Sequence, residues 1–84
     1  MRNYLITFRS VTYAQRGEAA LRSAGISTAL QRAPRHLEER GCGYSLSIHK
    51  ADIGRGLEIL RTRQIPFRKV YFRNGNGEME EVAL

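Results

Sequence analysis

The segment Tyr44-Ser45-Leu46-Ser47-Ile48-His49 has the clearest alternation of apolar and polar residues in this chain of 84 residues. A period of two is typical of a β-strand with one buried face. The apolar residues are expected to face a core and the polar residues to face the other side of a sheet. The two sets are Tyr44, Leu46 and Ile48 on the core side, and Ser45, Ser47 and His49 on the opposite side.

The flanking sequence predicts three more strands and two helices. The same alternation predicts strands over residues 4–9, 26–31 and 67–73, and the second of these stops before Pro34. Ser10 or Thr12 can cap the first helix, and Gly25 suits its end because glycine adopts left-handed backbone conformations readily. The second helix is expected to begin near Asp52 and to end before Pro66. The predicted order of elements is βαββαβ.

Two helices that each bury one stripe need one face of a sheet to cover, so the order predicts an α+β fold of the ferredoxin-like type. Its antiparallel four-stranded sheet would have the order 4-1-3-2, with both helices on one face. Strands one and three are then central neighbours, which places Arg9 and Ser10 beside Cys42. The side chains expected to be buried are Tyr4, Ile6, Phe8, Leu21, Leu46, Ile48, Ile53, Leu57, Leu60, Val70 and Phe72.

Length and composition predict a single domain over residues 1–73. The acidic Gly/Asn-rich tail, 74–84, is expected to be flexible or to form a short extra strand. Residues 1–73 hold all 14 basic residues and five of the eight acidic ones, a net charge of +9. An anionic partner is therefore plausible, although a solvated basic surface explains the charge equally well. The absence of a long apolar run or a signal-peptide pattern predicts a cytoplasmic protein that does not enter a membrane.

Cys42 is the only cysteine of the chain, and it lies between Gly41 and Gly43. A lone thiol cannot form an internal disulfide, which fits a reducing compartment. With only two histidines beside it, the chain has no recognisable metal-ligand pattern and no cofactor motif. Arg35 and Arg40 precede the cysteine, and positive surroundings of this kind lower the pKa of a thiol. His36 could act as a base near it.

The chain resembles the family of putative selenium/sulfur carrier-like proteins over residues 3–72. The resemblance rests on Phe8-Arg9-Ser10, Pro34-Arg35, Cys42-Gly43, and the scaffold segments 4–7, 21–26, 64–66 and 70–71. It implies that Cys42 holds sulfur or selenium as a persulfide-type species. The implied binding residues are Gly41, Gly43, Pro34, Arg35, Arg9 and Ser10. It also implies donor and acceptor proteins of the TusA/SirA or cysteine desulfurase type, and no enzyme chemistry beyond transfer of sulfur or selenium. The charged run 36–41 replaces the short link usual in the family.

Two alternatives remain open at the level of the sequence. Arg40-Gly41-Cys42-Gly43-Tyr44 imitates the signature of RNA-recognition motifs, in which aromatic rings on the open sheet face stack on bases. The alternation in this strand opposes an RNA-recognition motif, because Tyr44 belongs to the apolar set that faces the helices and not the open face. The other alternative is a non-catalytic interaction domain or homodimer that uses Leu5 and Tyr71 on the open sheet face. No hydrolase or redox site is recognisable.

Overall fold

The structure is a computed structural model that describes residues 3–33 and 43–82. Within these ranges it contains two α-helices, five β-strands and the 3-10 turn Lys50–Asp52, with the helices and strands in the order βαββαββ. The elements are β1 (Tyr4–Phe8), α1 (Val11–Ser23), β2 (Thr28–Arg32), β3 (Tyr44–Ile48), α2 (Ile53–Thr62), β4 (Val70–Arg73) and β5 (Met79–Glu81). The strand predicted over 26–31 thus begins two residues later and ends one residue later, at Arg32. None of the helices in these two ranges is long and apolar enough to cross a membrane.

All five strands form one antiparallel sheet with the order β2-β3-β1-β4-β5. The predicted order 4-1-3-2 is present within it, but the expected count of four strands is wrong. The fifth strand follows a turn at Asn74, whose side-chain oxygen accepts hydrogen bonds from the N–H groups of Asn76 (2.9 Å) and Glu78 (3.1 Å). The chain therefore reverses, and β5 pairs with β4 at the sheet edge.

The register assigns each side chain to one of two sheet faces. Ile6 pairs with both Leu46 and Val70, and these residues pack with the helices in one hydrophobic core. We call this side the helix face. Leu5 pairs with Ser47 and with Tyr71 on the opposite side, which we call the second face. The prediction that Tyr44, Leu46 and Ile48 face the helices, and Ser45 and Ser47 the opposite side, is confirmed.

The core contains eight of the eleven side chains that the sequence predicts to be buried. The other three, Tyr4, Ile53 and Phe72, are half-buried. Tyr4 and Phe72 are opposed across β1 and β4 with ring centroids 5.1 Å apart, so they shield each other at the margin of the core. Ile53 is the first residue of α2 and packs against the core. The core also includes Ala14, Ala20, Ile26 and Ile65.

The second face is buried at five positions, contrary to the expectation of an open face. The buried side chains are Leu5, Thr7, Ser45, Ser47 and Tyr71. Buried hydroxyl groups need hydrogen-bond partners, and Thr7 Oγ1 bonds to both the carbonyl (3.2 Å) and the N–H (3.1 Å) of Lys69. Leu5 and Tyr71 are therefore already buried within a single chain.

Two glycines allow the helices to approach the sheet closely. A Cβ atom at Gly17 would lie 3.1 Å from Phe8 Cζ, and one at Gly56 would lie 2.8 Å from Ile48 Cδ1. Both distances are shorter than normal carbon–carbon contacts. The helices can therefore pack at these points only because no side chain is present. Gly56 therefore has a close-packing role, whereas Gly54 faces open space.

Candidate functional site at the end of the central strands

The candidate site lies where β1 ends and β3 begins. Phe8, the last residue of β1, pairs with Tyr44, the first residue of β3. The next residue on β1's side is Arg9, and the residue before Tyr44 is Gly43. The N–H group of Ala33 donates a hydrogen bond to the carbonyl of Gly43 (3.1 Å), which ties this end of β3 to β2. Gly43 is buried and Arg9 is exposed.

Helix α1 begins at the same end of the sheet. Ser10 is its N-cap: the Ser10 Oγ accepts a hydrogen bond from the N–H group of Tyr13 (3.3 Å), and the Ser10 carbonyl accepts one from Ala14 (3.1 Å). The remaining N–H groups of a first turn have no acceptor within the helix, and they carry the positive end of the helix dipole. The first turn of α1 contains no acidic residue that would neutralise this charge. The end of the sheet beside Gly43 therefore combines a helix amino terminus with Arg9.

A second arginine lies at this end of the sheet. Arg32, the last residue of β2, pairs with Tyr44, and its guanidinium carbon is 5.7 Å from the centroid of the Tyr44 ring. This distance is typical of a cation–π interaction. The exposed guanidinium of Arg32 therefore lies over the half-buried ring of Tyr44. Sequence reasoning did not assign Arg32 to the site. The available signal was the alternation of β2, which runs to Gln31, the residue next to Arg32.

The structure brings together three of the residues expected at the site: Arg9, Ser10 and Gly43. The other four, Pro34, Arg35, Gly41 and Cys42, lie outside the described residues, as does His36. Cys42 is covalently bonded to Gly43. The described residues around Gly43 form a polar, positively charged end of the sheet that suits an anion better than a cation.

Metal chemistry has no support in the part of the chain that the structure describes. No group of three or more His, Cys, Asp or Glu side chains in residues 3–33 and 43–82 is arranged as a metal site. The hydrogen-bonding groups at the candidate site are donors: the helix N–H groups and the guanidinium groups of Arg9 and Arg32. The chemistry that this end of the sheet favours is stabilisation of a negatively charged atom.

Comparison with known protein families identifies one family to which the chain is similar. Residues 3–72 match the model of the family described as "Putative Se/S carrier protein-like". The chain belongs to this family. The match covers both helices and the first three strands completely, and it ends within β4. No curated protein and no solved structure matches the chain significantly.

The position of Tyr44 bears on the RNA-recognition alternative for this Se/S carrier-like protein. Tyr44 lies on the helix face, where it packs against the core. An RNA-recognition motif requires the equivalent aromatic residues on the face that carries no helices. On that second face, Ser45 and Ser47 stand on β3, and the ring of Tyr71 is buried. The described part of the sheet therefore offers no exposed aromatic platform for bases.

Proposed function

We propose that this protein is a carrier that holds a sulfur or selenium atom on Cys42 and passes it to an acceptor thiol. The proposal rests on membership of the Se/S carrier-like family and on the Cys42-Gly43 pair, which lies within the matched range and resembles the Cys-Gly pair of that family. The observation that carries it is the Phe8–Tyr44 pairing, because it brings Gly43, the neighbour of Cys42, to the end of the sheet where α1 begins and Arg9 lies.

The transfer needs no external oxidant. The Cys42 thiolate attacks the terminal sulfur of a donor persulfide, R–S–SH, a new S–S bond forms on Cys42, and the old S–S bond breaks. The donor leaves as the thiolate R–S⁻, so charge and electrons balance. In the second step, an acceptor thiolate attacks the terminal sulfur of Cys42–S–SH, and Cys42 leaves as the thiolate. A donor R–S–SeH would transfer selenium in the same way.

The local charges support both steps. The entering and leaving forms of Cys42 are thiolates, and positive groups stabilise a thiolate relative to the thiol. The N-terminal end of α1 and Arg9 supply such charge on the described side of Gly43. Donor and acceptor proteins of the TusA/SirA or cysteine desulfurase type are the partners that we propose for the carrier.

The test is retention of a single sulfur atom by the folded protein. The protein is incubated with glutathione persulfide, passed through a desalting column and measured by intact mass spectrometry over time. We expect a mass increase of one sulfur atom that persists in the folded chain and decays faster in the same chain unfolded in urea. The Cys42→Ser variant must show no increase. Equal lifetimes in the folded and unfolded chains would contradict a carrier role, because the fold would then contribute nothing to holding the cargo.

The same measurement decides the element. Incubation with the selenium analogue, in which the terminal sulfur of glutathione persulfide is replaced by selenium, is expected to load Cys42 as well. The cargo with the longer lifetime on the folded chain is the one for which the site is built.

A further inference from the structure

A polar cavity lies on the second face of the sheet. Its volume is about 250 Å³, and it is lined by Asn3, Leu5, Gln31, Ser47 and Arg73. Leu5 and Ser47 are paired neighbours on the two central strands, and both are buried, so they form the floor. Gln31 and Arg73 come from β2 and β4, the strands that flank the central pair. The cavity is therefore a shallow depression whose walls carry two carboxamides, a hydroxyl and a guanidinium.

The backbone holds Asn3 and Arg73 next to each other. The N–H group of Arg73 donates a hydrogen bond to the carbonyl of Asn3 (2.8 Å). The Nε atom of Arg73 lies 3.5 Å from Met79 Sδ on β5, and a thioether is a weak acceptor. The guanidinium is thus oriented by a contact that uses only one of its five N–H groups.

The nearby acidic residues do not neutralise Arg73 within the described ranges. Glu81 pairs with Lys69 (3.3 Å), and Glu80 accepts a hydrogen bond from the side-chain amide of Asn74 (3.1 Å). No ion pair joins Arg73 to any carboxylate among residues 3–33 and 43–82. The guanidinium of Arg73, at the rim of the polar cavity, therefore keeps N–H groups that bind no acidic side chain within the described residues.

We propose that this cavity binds a small oxyanion, with Arg73 as the charged anchor and the side chains of Asn3, Gln31 and Ser47 as neutral hydrogen-bonding groups. A guanidinium matches the two oxygens of a carboxylate or phosphate with parallel N–H groups. The carboxamide N–H₂ groups and the serine hydroxyl can each donate to the same oxygens. Leu5 at the floor excludes water beneath the ligand.

The cavity shares no residue with the candidate thiol site. None of its five lining residues is among the residues expected at that site. The proposal therefore does not depend on the sulfur-carrier function, and either can fail without the other.

The test is a titration of the ¹⁵N-labelled protein followed by NMR, at constant ionic strength set with sodium chloride. The probes are sodium acetate, inorganic phosphate and the neutral acetate analogue acetamide. We expect saturable shifts of the backbone signals of Leu5 and Ser47 and of the side-chain signals of Asn3, Gln31 and Arg73. Acetamide must not produce them. Whichever of acetate and phosphate saturates at lower concentration identifies the oxyanion as a carboxylate or a phosphate.

Two arginine variants with equal loss of charge separate binding in the cavity from general attraction to a basic protein. Arg73→Gln is expected to weaken the binding tenfold or more, because hydrogen bonds to a charged group are lost. Arg16→Gln removes an exposed arginine of α1 and is expected to leave the affinity unchanged. Gln31→Ala, an exposed change on β2, serves as a second cavity variant and is expected to weaken binding by a smaller factor. Equal effects of Arg73→Gln and Arg16→Gln, or linear shifts that never saturate, would overturn the proposal.

Discussion

Gly56 on α2 approaches Ile48 on β3 so closely that a Cβ atom at residue 56 would lie 2.8 Å from Ile48 Cδ1. Ile48 is fully buried, so its side chain has little room to move away. Gly54 belongs to the same helix, but a Cβ atom there would meet no other atom within 4 Å. Both glycines lower the helix propensity of α2, but only Gly56 is needed for close packing. Comparing the two positions therefore distinguishes the effect of helix propensity from the effect of packing.

The first prediction compares alanine at these two positions. Gly54→Ala is expected to raise the free energy of unfolding by about 0.5 to 1 kcal/mol, because glycine is the poorer helix former. Gly56→Ala gains the same intrinsic term but overpacks the core, at a cost of about 1 to 3 kcal/mol, so a net loss of stability is expected. Urea denaturation at unchanged m-value measures both effects.

The control for this prediction is the change Ile48→Val, which removes the Cδ1 atom. Combined with Ile48→Val, Gly56→Ala is expected to be less damaging, with a coupling energy of at least about 0.5 kcal/mol. An additive double variant would mean that the two residues do not compete for space.

The second prediction concerns the ends of the two helices. Gly25 after α1 and Gln64 after α2 both have positive φ angles, +81° and 57°. In each case, the following N–H group bonds back into the helix: Ile26 to the Leu21 carbonyl and Ile65 to the Leu60 carbonyl, both at 2.9 Å. The two ends are thus built alike, but only the first has the residue that tolerates this backbone conformation without cost.

Opposite substitutions at these positions should change stability in opposite directions. Gly25→Ala is expected to destabilise by about 1 kcal/mol through backbone strain alone, since a Cβ there meets no atom within 4 Å. Gln64→Gly is expected to stabilise by about 0.5 kcal/mol, the strain relieved being partly offset by the greater freedom of glycine in the unfolded chain. Thermal and urea unfolding of both variants provide the measurement, and destabilisation by Gln64→Gly would show that its side chain makes a contact worth more than the strain.

The sequence was sufficient to predict the framework of the first four strands because its periodicities are local. The alternation in β3 fixed which side chains face the helices, and a capping serine and a left-handed glycine delimited α1. The fifth strand was not predicted firmly, since Met79–Glu81 is short and acidic and follows a turn that Asn74 organises. No periodicity could report this, because the turn depends on hydrogen bonds of the side chain and the backbone of Asn74.

The candidate site was predictable to the extent that it depends on topology. Antiparallel pairing of strands one and three was enough to place Arg9 and Ser10 at the start of β3. The role of Arg32 was missed because its contact with Tyr44 depends on the register between β2 and β3, which alternation within one strand does not report. Burial of Leu5 and Tyr71 was also missed, since alternation indicates which face a side chain joins but not whether that face is covered.

The third prediction tests the RNA-recognition alternative. Binding to single-stranded RNA is expected to be weak, independent of sequence and strongly reduced by salt, because only phosphate contacts with a basic surface are available. Tyr44 packs on the helix face, so Tyr44→Ala should lower stability without selectively removing RNA binding. Fluorescence anisotropy of labelled RNA at two salt concentrations measures the affinity. Loss of a tight complex in a folded Tyr44→Ala protein would reinstate base stacking.

The last prediction concerns the reactivity of Cys42. The chain has one cysteine, so any alkylation by iodoacetamide reports on this thiol. Only the thiolate reacts, and positive charge beside it increases the thiolate fraction at a given pH. The described side of Gly43 supplies Arg9 and the first turn of α1, so the folded protein should react faster near pH 6.5 than the same chain unfolded in urea.

Two arginine variants, one just before α1 and one within it, test whether the effect on Cys42 depends on the position of the charge. Arg9→Gln is expected to move the midpoint of the rate–pH profile to higher pH, since loss of a nearby positive charge disfavours the thiolate. Arg16→Gln removes the same charge more than one helical turn further along and should leave the midpoint unchanged. Ser10→Ala should lower stability by about 1 kcal/mol through loss of the N-cap, which checks that α1 begins where the structure places it. If Cys42 reacts only after unfolding, the thiol is inaccessible in the folded chain, and a carrier role for this residue is excluded.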